Sequence, residues 1–409
     1  MDAYVNIFLF LCFSLMRVKE THRSKSKKRQ KSFNMKILNV ITGLNNGGAE
    51  AVLYRLCTYD KTYNHTVISL MDKGKYGSLL EEAGIKVYCL NMPAGRMTLS
   101  GFYELFKLMR KLKPDAVQTW MYHADLIGGV IARLAGNKNV FWNIRSSDLD
   151  GESSKKTTWF VAKLCAVLSH VIPKKTVCCA RRAEKFHLKL GYKKNIVIIG
   201  NGYDLSTLKP NIELANNFRN DIGVQQSEKL IGMVARYDSQ KDHLNLVEAL
   251  GILKGRGYNF KCCLVGRDLN EDNSVMTHAI KTGSLESDVL LLDQRTDIPS
   301  VMNGLNLHVL SSAYGEAFPN VVAESMSCGT PNVVTDVGDA GFIVGDTGKV
   351  VKPRSSQELA RAISEYFDIM DADSNKWNEI CLQAYKRAHD NFDIHQMIEY
   401  YHDVWGLTK

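Results

Sequence analysis

From Met35 onward the sequence alternates short β-branched runs with longer amphipathic stretches, and it does so in two successive series. The first series predicts strands at Ile37–Thr42, Thr66–Met71, Lys86–Leu90, Ala116–Trp120, Val140–Arg145, Thr176–Ala180 and Asn195–Ile199. Helical patterns such as Ala49–Cys57, Phe102–Lys113 and His123–Leu134 lie between them. Runs this short and this apolar suit strands buried on both faces, and parallel strands need a crossover helix to join them. A doubly wound α/β sheet meets both demands. The turn signals Gly200-Asn201-Gly202-Tyr203-Asp204 and Lys209-Pro210 close this series, and the polar stretch Asn211 to Lys229 leads into the second. Its strands are expected at Leu230–Arg236, Phe260–Gly266, Val289–Leu292, Leu307–Leu310, Asn332–Thr335 and Lys349–Val351. Helices follow at Gln357–Met370, Trp377–Asn391 and Ile394–Trp405. The expected fold is therefore α/β, two doubly wound Rossmann-like domains facing a cleft. Residues 35–205 and 206–390 form the domains, and a terminal helix within 391–409 packs back on the first. A chain of 409 residues is long enough for two cores.

Residues 1–34 stand apart. Tyr4 to Met16 is apolar but too short for a comfortable membrane span, and it lacks the basic flank and cleavage site of a signal peptide. Either Met35 serves as the start, or the segment is a short anchor with a cytoplasmic basic flank, or it is a lipid-binding tail. We take the first reading and leave 1–34 out of the fold. The segment carries eight Lys/Arg against Asp2 and Glu20, so it accounts for six of the net charge of +9. The remainder is a poor footprint for nucleic acid, and no nucleic-acid partner is expected. None of the ten cysteines forms a C-x-x-C pair or a zinc-type cluster, and most sit in apolar runs, as buried thiols do in a reducing cytosol. A cytoplasmic protein follows, and the sequon Asn64-His65-Thr66 is then coincidence.

In doubly wound sheets ligands bind beyond the carboxyl ends of strands, so those loops carry the functional argument. The first, Gly43 to Glu50, places Gly47 and Gly48 at a helix start. It is neither a G-x-G-x-x-G nor a P-loop, so it reads as a turn needing positive φ or as a close approach to a ligand. His123 opens a helix after the fourth strand, where a structural histidine is the commoner outcome. Arg145-Ser146-Ser147-Asp148 follows the fifth strand, and Asp148-Leu149-Asp150 reads as a loop rather than a metal site. Arg236 closes the first strand of the second series and Lys241 follows at the next helix start. As a pair they are either solvated cations or a clamp for a diphosphate. Gly266 and the Gln294–Asp297 turn end further strands and offer backbone contacts to a base.

The stretch Ser311 to Pro331 is the most informative. It reads as loop and short helix between two strands, with Glu316 in the loop and Glu324 one turn into a helix that begins near Pro319. The N–H groups of Asn320 and Val321 are then unpaired helix-start donors suited to a phosphate. Two flanking carboxylates accept hydrogen bonds from hydroxyls, which suits a sugar nucleotide. An ordinary strand–helix junction with solvated glutamates is the alternative.

Taken together, Glu316-x7-Glu324 within GEAFPNVVAESMSCGTPNVVTDVGD, Arg236 with Lys241, the GGAE loop at Gly47–Glu50 and the NGYD hinge resemble the family 4 retaining glycosyltransferases of GT-B type. The resemblance spans residues 35–409. It implies that Glu316 contacts the donor sugar, Glu324 the ribose, and Arg236 and Lys241 the diphosphate. Gly48 would approach that diphosphate from the other domain, and His123 would lie beside the reacting sugar. It also implies a nucleoside-diphosphate-sugar donor, a lipid-linked or oligosaccharide acceptor, possible peripheral membrane contact, no cofactor and no metal. Ala317, Arg267 and Asp293 depart from the family's usual residues. A sugar-nucleotide 2-epimerase and a silent sugar-nucleotide-binding subunit are the competing readings.

Overall fold

A computed structural model describes residues 35–406 except 46, 94–97 and 147–155. The N-terminal segment and Asp148-Leu149-Asp150 discussed above lie outside the described residues. The first series forms strands β1 (Lys36–Ile41), β2 (Asn64–Ser69), β3 (Lys86–Cys89), β4 (Ala116–Trp120), β5 (Val140–Ile144), β6 (Lys175–Cys178) and β7 (Ile196–Ile198). They pair in the order β3-β2-β1-β4-β5-β6-β7, every pair parallel. The second series gives β8 (Leu230–Val234), β9 (Lys261–Val265), β10 (Val289–Leu291), β11 (Leu307–Leu310), β12 (Asn332–Thr335) and β13 (Lys349–Val351). These form a second parallel sheet, β10-β9-β8-β11-β12-β13. Both are doubly wound, as the alternation required.

The central strands β4, β5, β8 and β11 are buried at every position, which explains why they read as continuous apolar runs rather than alternating ones. Three polar residues inside the first sheet have a specific use. The terminal helix Ile394–Trp405 lies on the first domain, and Trp405 Nε1 donates to Gln118 Oε1 at 3.0 Å. Asn143 Nδ2 donates to the Tyr401 hydroxyl at 2.8 Å, while Asn39 Oδ1 accepts from Trp120 Nε1 at 3.0 Å. Buried amides cost stability unless bonded, and here the returning helix bonds two of the three. His402 of the same helix donates to Asp60 at 2.8 Å, and His65 does so at 3.0 Å. Burial alone would raise the Asp60 carboxyl, but these imidazole bonds outweigh it and hold it well below the usual carboxylate range.

Several strands end earlier than their apolar runs suggest. β8 stops at Val234, two residues before Arg236, and β9 stops at Val265. Pro319 precedes the helix Asn320–Ser327 as its N-cap, at φ −69° and ψ 106°, instead of standing in its first turn. Cys178, Cys179, Cys262 and Cys263 are buried thiols. Among the described residues no helix is long and apolar enough to cross a membrane.

Candidate functional site

The strand order reverses between β1 and β4 in the first sheet and between β8 and β11 in the second. At each reversal neighbouring loops leave the sheet in opposite directions and open a crevice at the carboxyl edge. The loops after these four strands carry every predicted site residue except Gly266. Gly47 and Gly48 follow β1, His123 follows β4, and Arg236 and Lys241 follow β8. Glu316, Asn320, Val321 and Glu324 follow β11.

The second domain's wall is the more tightly built. Lys241 Nζ is paired with Glu316 Oε1, and the same oxygen accepts from Ser312 Oγ at 2.6 Å. Glu316 is 6% exposed, so the pair is sheltered from solvent and fixed from two directions. The backbone that carries Lys241 is tied to the β11 loop. Ser311 Oγ donates to the carbonyls of Lys241 (3.0 Å) and Asp242 (2.9 Å), and Ala313 N–H donates to Gln240 C=O at 2.8 Å. Asp242 sits at φ 52°, the left-handed turn that ends this loop and starts the helix His243–Gly255. Gly338, at φ 60°, passes so close to Glu316 that a Cβ would lie 2.3 Å from its carbonyl oxygen. Only glycine fits there.

Arg236 is not brought to the glutamates. Its side chain is about half exposed and bonds Asp238 (3.2 Å) and Gln240 (3.4 Å) in its own loop. Gly266 has a different constraint from the one expected. At φ 156° it abuts the β8 loop, where a Cβ would meet the Ala235 carbonyl at 2.0 Å. Its demand is close backbone approach, and the same end of the sheet puts Asp293 at φ 47°, in the left-handed region that favours glycine.

The helix Asn320–Ser327 faces the first domain. Val322 N–H donates to Pro319 C=O, and helix geometry leaves the Asn320 and Val321 N–H groups without intrahelical acceptors. Asn320 Oδ1 accepts from Asn201 Nδ2 and from the Tyr203 hydroxyl, each at 2.6 Å. Arg145 extends this hinge contact, donating to Asn201 Oδ1 at 2.6 Å and to the Tyr401 hydroxyl at 2.9 Å. Gly48 lies directly opposite, for a Cβ on it would stand 3.8 Å from Asn320 Nδ2. Neither Gly47, at φ −148°, nor Gly48 has positive φ, so turn geometry does not explain this glycine pair. At Gly47 a Cβ would meet the Glu50 carboxylate of its own helix at 2.4 Å, while at Gly48 it would stand in ordinary contact with Asn320.

Glu324, half-buried on the same helix, is pushed up by burial and drawn back by the charge of Arg55. Arg55 belongs to the first domain's helix Gly48–Tyr59, with its guanidinium 4.7 Å from the Tyr203 ring centroid. Its Nε and Nη2 are buried without a hydrogen-bond partner among the described residues. His123 is half-buried and burial lowers its pKa, so it is neutral at pH 7. It is preceded by Met121 at φ 69° and held by the first turn of the helix Tyr122–Leu134. In that turn buried Asp125 accepts from Thr119 Oγ1 at 2.5 Å and from Asn143 N–H at 3.3 Å.

Sequence reading missed Arg55, Gly338 and Asp339. Asp339 accepts the N–H groups of Arg181 (2.6 Å) and Arg182 (3.1 Å), so a second-domain carboxylate caps the first-domain helix Arg181–Leu190. No local pattern announces any of the three, because Arg55 and Asp339 act across the interface and Gly338 acts on a loop distant from it in sequence. Among the described residues no group of three or more His, Cys, Asp or Glu is placed to hold a metal.

Two family models match the chain, Glycosyltransferase Family 4 over residues 46–207 and Glycosyl transferases group 1 over residues 214–379. The UDP-Gal:alpha-D-GlcNAc-diphosphoundecaprenol alpha-1,3-galactosyltransferase of Escherichia coli is 24% identical over 249 residues, 60% of this chain and 64% of the relative. The capsular polysaccharide biosynthesis glycosyltransferase CapM of Staphylococcus aureus is 23% identical over 273 residues, 65% of this chain and 71% of the relative. Among solved structures, Anabaena Alr3699/HepE in complex with UDP superposes with a TM-score of 0.80 at 22% identity, over 91% of this chain and all of that one.

Proposed function

The chain belongs to the family 4 glycosyltransferases of GT-B fold, and from that premise we propose that it moves a sugar from a nucleoside-diphosphate sugar to a hydroxyl of a lipid-linked or growing surface glycan. The observation that carries this reading is the sheltered Lys241–Glu316–Ser312 cluster beyond β8 and β11, with Gly48 of the first domain facing Asn320 at the neighbouring helix start. The cluster supplies acceptors for sugar hydroxyls beside a fixed cation. The Asn320 helix start supplies N–H donors for the diphosphate, and Gly48 faces that helix start from the first domain.

In the proposed reaction the acceptor oxygen bonds to the sugar's anomeric carbon while the bond to the diphosphate breaks. The leaving diphosphate takes the acceptor's proton, on the same face, so the anomeric configuration is retained. The protein's task is to orient both partners and offset the charge that gathers on the leaving group. Lys241 and the helix start sit where that charge appears; Arg236 joins them if its loop turns inward when donor binds. Glu316 then grips the sugar and Glu324 the ribose. Neutral His123 bonds a hydroxyl near the reacting carbon. No resident metal is required by this arrangement. The names of the relatives agree with a donor of this class, since HepE is described with UDP and with UDP-glucose, and the E. coli relative acts on a diphosphoundecaprenol acceptor. We place the chain on the cytoplasmic side, in polysaccharide or lipopolysaccharide assembly at the membrane surface.

The direct test incubates the protein with a panel of sugar nucleotides with and without a glycan acceptor and measures nucleoside diphosphate. Release that depends on acceptor supports transfer. Epimerised sugar nucleotide formed without any acceptor would overturn it in favour of a 2-epimerase.

A further inference from the structure

The second domain holds a cavity of about 390 Å³ that the proposed transfer leaves unused. It is lined from the same two loops that carry Lys241 and Glu316, but by none of the residues of that cluster. Ser239 Oγ and the Tyr314 hydroxyl, 2.8 Å apart, join the two loops beside it. Asp242, Asn245 and Glu248, around the start of the helix His243–Gly255, also line it, as does Arg354 beyond β13. The helices that follow β8 and β11 leave on opposite faces of the sheet, because the strand order reverses between those strands. His243–Gly255 packs with Ser356–Ala372, whereas Asn320–Ser327 packs with Ser374–Asn391 and bonds the hinge residues Asn201 and Tyr203. The cavity therefore sits on the side of the two loops away from the hinge, at the second domain's lip of the cleft.

Asn245 distinguishes this cavity from a chance hollow. It is 7% exposed, and its Nδ2 is buried without a hydrogen-bond partner among the described residues. An unsatisfied buried amide costs stability that an apolar side chain of the same shape would recover, so the fold gains nothing from it until a ligand bonds it. Asp242 is uncommitted too, since its side chain does not cap the helix it precedes. Burial pushes the Asp242 carboxyl up, the Asn245 N–H and the Arg354 charge draw it back, and Glu248 adds to the rise, so these groups act on one another around the cavity. We propose that the cavity binds a neutral sugar unit of the acceptor glycan, one beyond the unit that receives the transferred sugar. Two carboxylates against one guanidinium leave no positive excess for a phosphate, and among the described residues no group of three His, Cys, Asp or Glu gathers to hold a metal. Sugar hydroxyls both give and take hydrogen bonds, and here Asp242 and Glu248 accept while Arg354 and Asn245 donate. Leu244, 41% exposed, and the Tyr314 ring add apolar surface for the C–H face of a pyranose. The volume falls within the range of small-ligand pockets, roughly 300–1,000 Å³. That the sugar belongs to the acceptor rests on the transferase reading; that the cavity binds sugar does not.

Binding is read first, by NMR saturation transfer from the full chain to methyl α-glucoside, methyl α-galactoside and methyl N-acetyl-β-glucosaminide. Expected is a signal on at least one glycoside that falls about fivefold or more in the double variant Glu248→Ala with Arg354→Ala and persists in Lys241→Ala. Both residues of the double variant are exposed, so the fold should survive it. Asn245→Leu separates a ligand group from a structural one, because it should lose the glycoside while Tm holds or rises. The proposal is overturned if no glycoside gives a signal, if the signal survives the double variant, or if Lys241→Ala removes it, which would put the sugar in the donor cleft. A lowered Tm with retained binding in Asn245→Leu also overturns it. Nucleoside diphosphate release is followed in parallel with acceptors of one sugar and of three. The double variant should raise KM for the trisaccharide about tenfold, with kcat and the single-sugar KM unchanged. Wild-type kinetics on both acceptors would defeat the acceptor subsite alone, and glycoside binding without release under any donor would defeat the transferase reading alone.

Discussion

Glu324 and Lys241 are where single substitutions separate this reading from a merely structural one. Lys241→Ala removes the cation beside Glu316 and the charge that would face a leaving diphosphate, and Glu324→Ala removes the carboxylate proposed to hold the ribose. Each should lower transfer roughly a hundred- to a thousandfold, the usual scale for one preorganised group in a sheltered site, with unchanged circular dichroism. Near-normal turnover in both would sink the site. Arg55 gives a sharper test because it acts through Glu324. Burial raises the Glu324 carboxyl and Arg55 opposes that rise, so activity needing the ionised form is present above the raised value and lost as pH falls through it. With Arg55→Met the opposing charge is gone, and the acid limb of kcat/KM should move to higher pH; Arg55→Lys should restore much of it. An unmoved limb would show that Arg55 does not tune Glu324. The placement of Glu316 and Lys241 in loops after strands, and of Gly48 and Glu324 on the helices that follow, was legible in the sequence because the strand ends were. Arg55 was not, since one arginine on an amphipathic helix looks like a solvated one until the second domain is set against it. Arg236 was legible as a strand-end cation, but its side chain follows Asp238 in its own loop.

At the scale of elements the strands were the readable part, since thirteen short apolar runs correspond to thirteen strands. The runs at Ala116–Trp120, Leu307–Leu310, Asn332–Thr335 and Lys349–Val351 match to the residue. The others drift by one or two, because a ladder ends where pairing ends and hydrophobic residues continue beyond it. What periodicity cannot show is one domain completing another domain's helix. The helix Arg181–Leu190 starts after Ala180, which offers no capping oxygen, and its first donors are satisfied by Asp339 of the second domain. Asp339→Ala should therefore destabilise the chain by about 0.5–2 kcal/mol, the range for a lost N-cap. Faster amide exchange should accompany it in the first turn of a helix that lies in the other domain. The neighbouring Arg182–Asp336 pair is exposed on both sides, and Asp336→Ala should change the urea midpoint little. Equal effects from the two substitutions would mean that the cap bears no share of the domain contact.

The whole molecule is two parallel sheets joined through a hinge and re-joined by the terminal helix. The Tyr203 backbone pairs with Phe392 and Ile394 where the chain leaves the second domain, and Tyr401, His402 and Trp405 bond the first. That double connection sets the two carboxyl edges face to face and makes charge compensation a property of the assembled cleft. If leaving-group charge is offset by Lys241 and the Asn320 helix start, a divalent ion has no essential place in the step. Transfer should then proceed at an unchanged rate in EDTA, and the product's anomeric proton coupling should report the same configuration as the donor. Suppression by EDTA with recovery on adding magnesium would require a metal to do what Lys241 is assigned here. An inverted product would require a base poised on the far face of the sugar. His123 is the first-domain residue the proposal sets beside the reacting sugar, so the configuration of the product also decides whether its imidazole orients a hydroxyl or removes its proton.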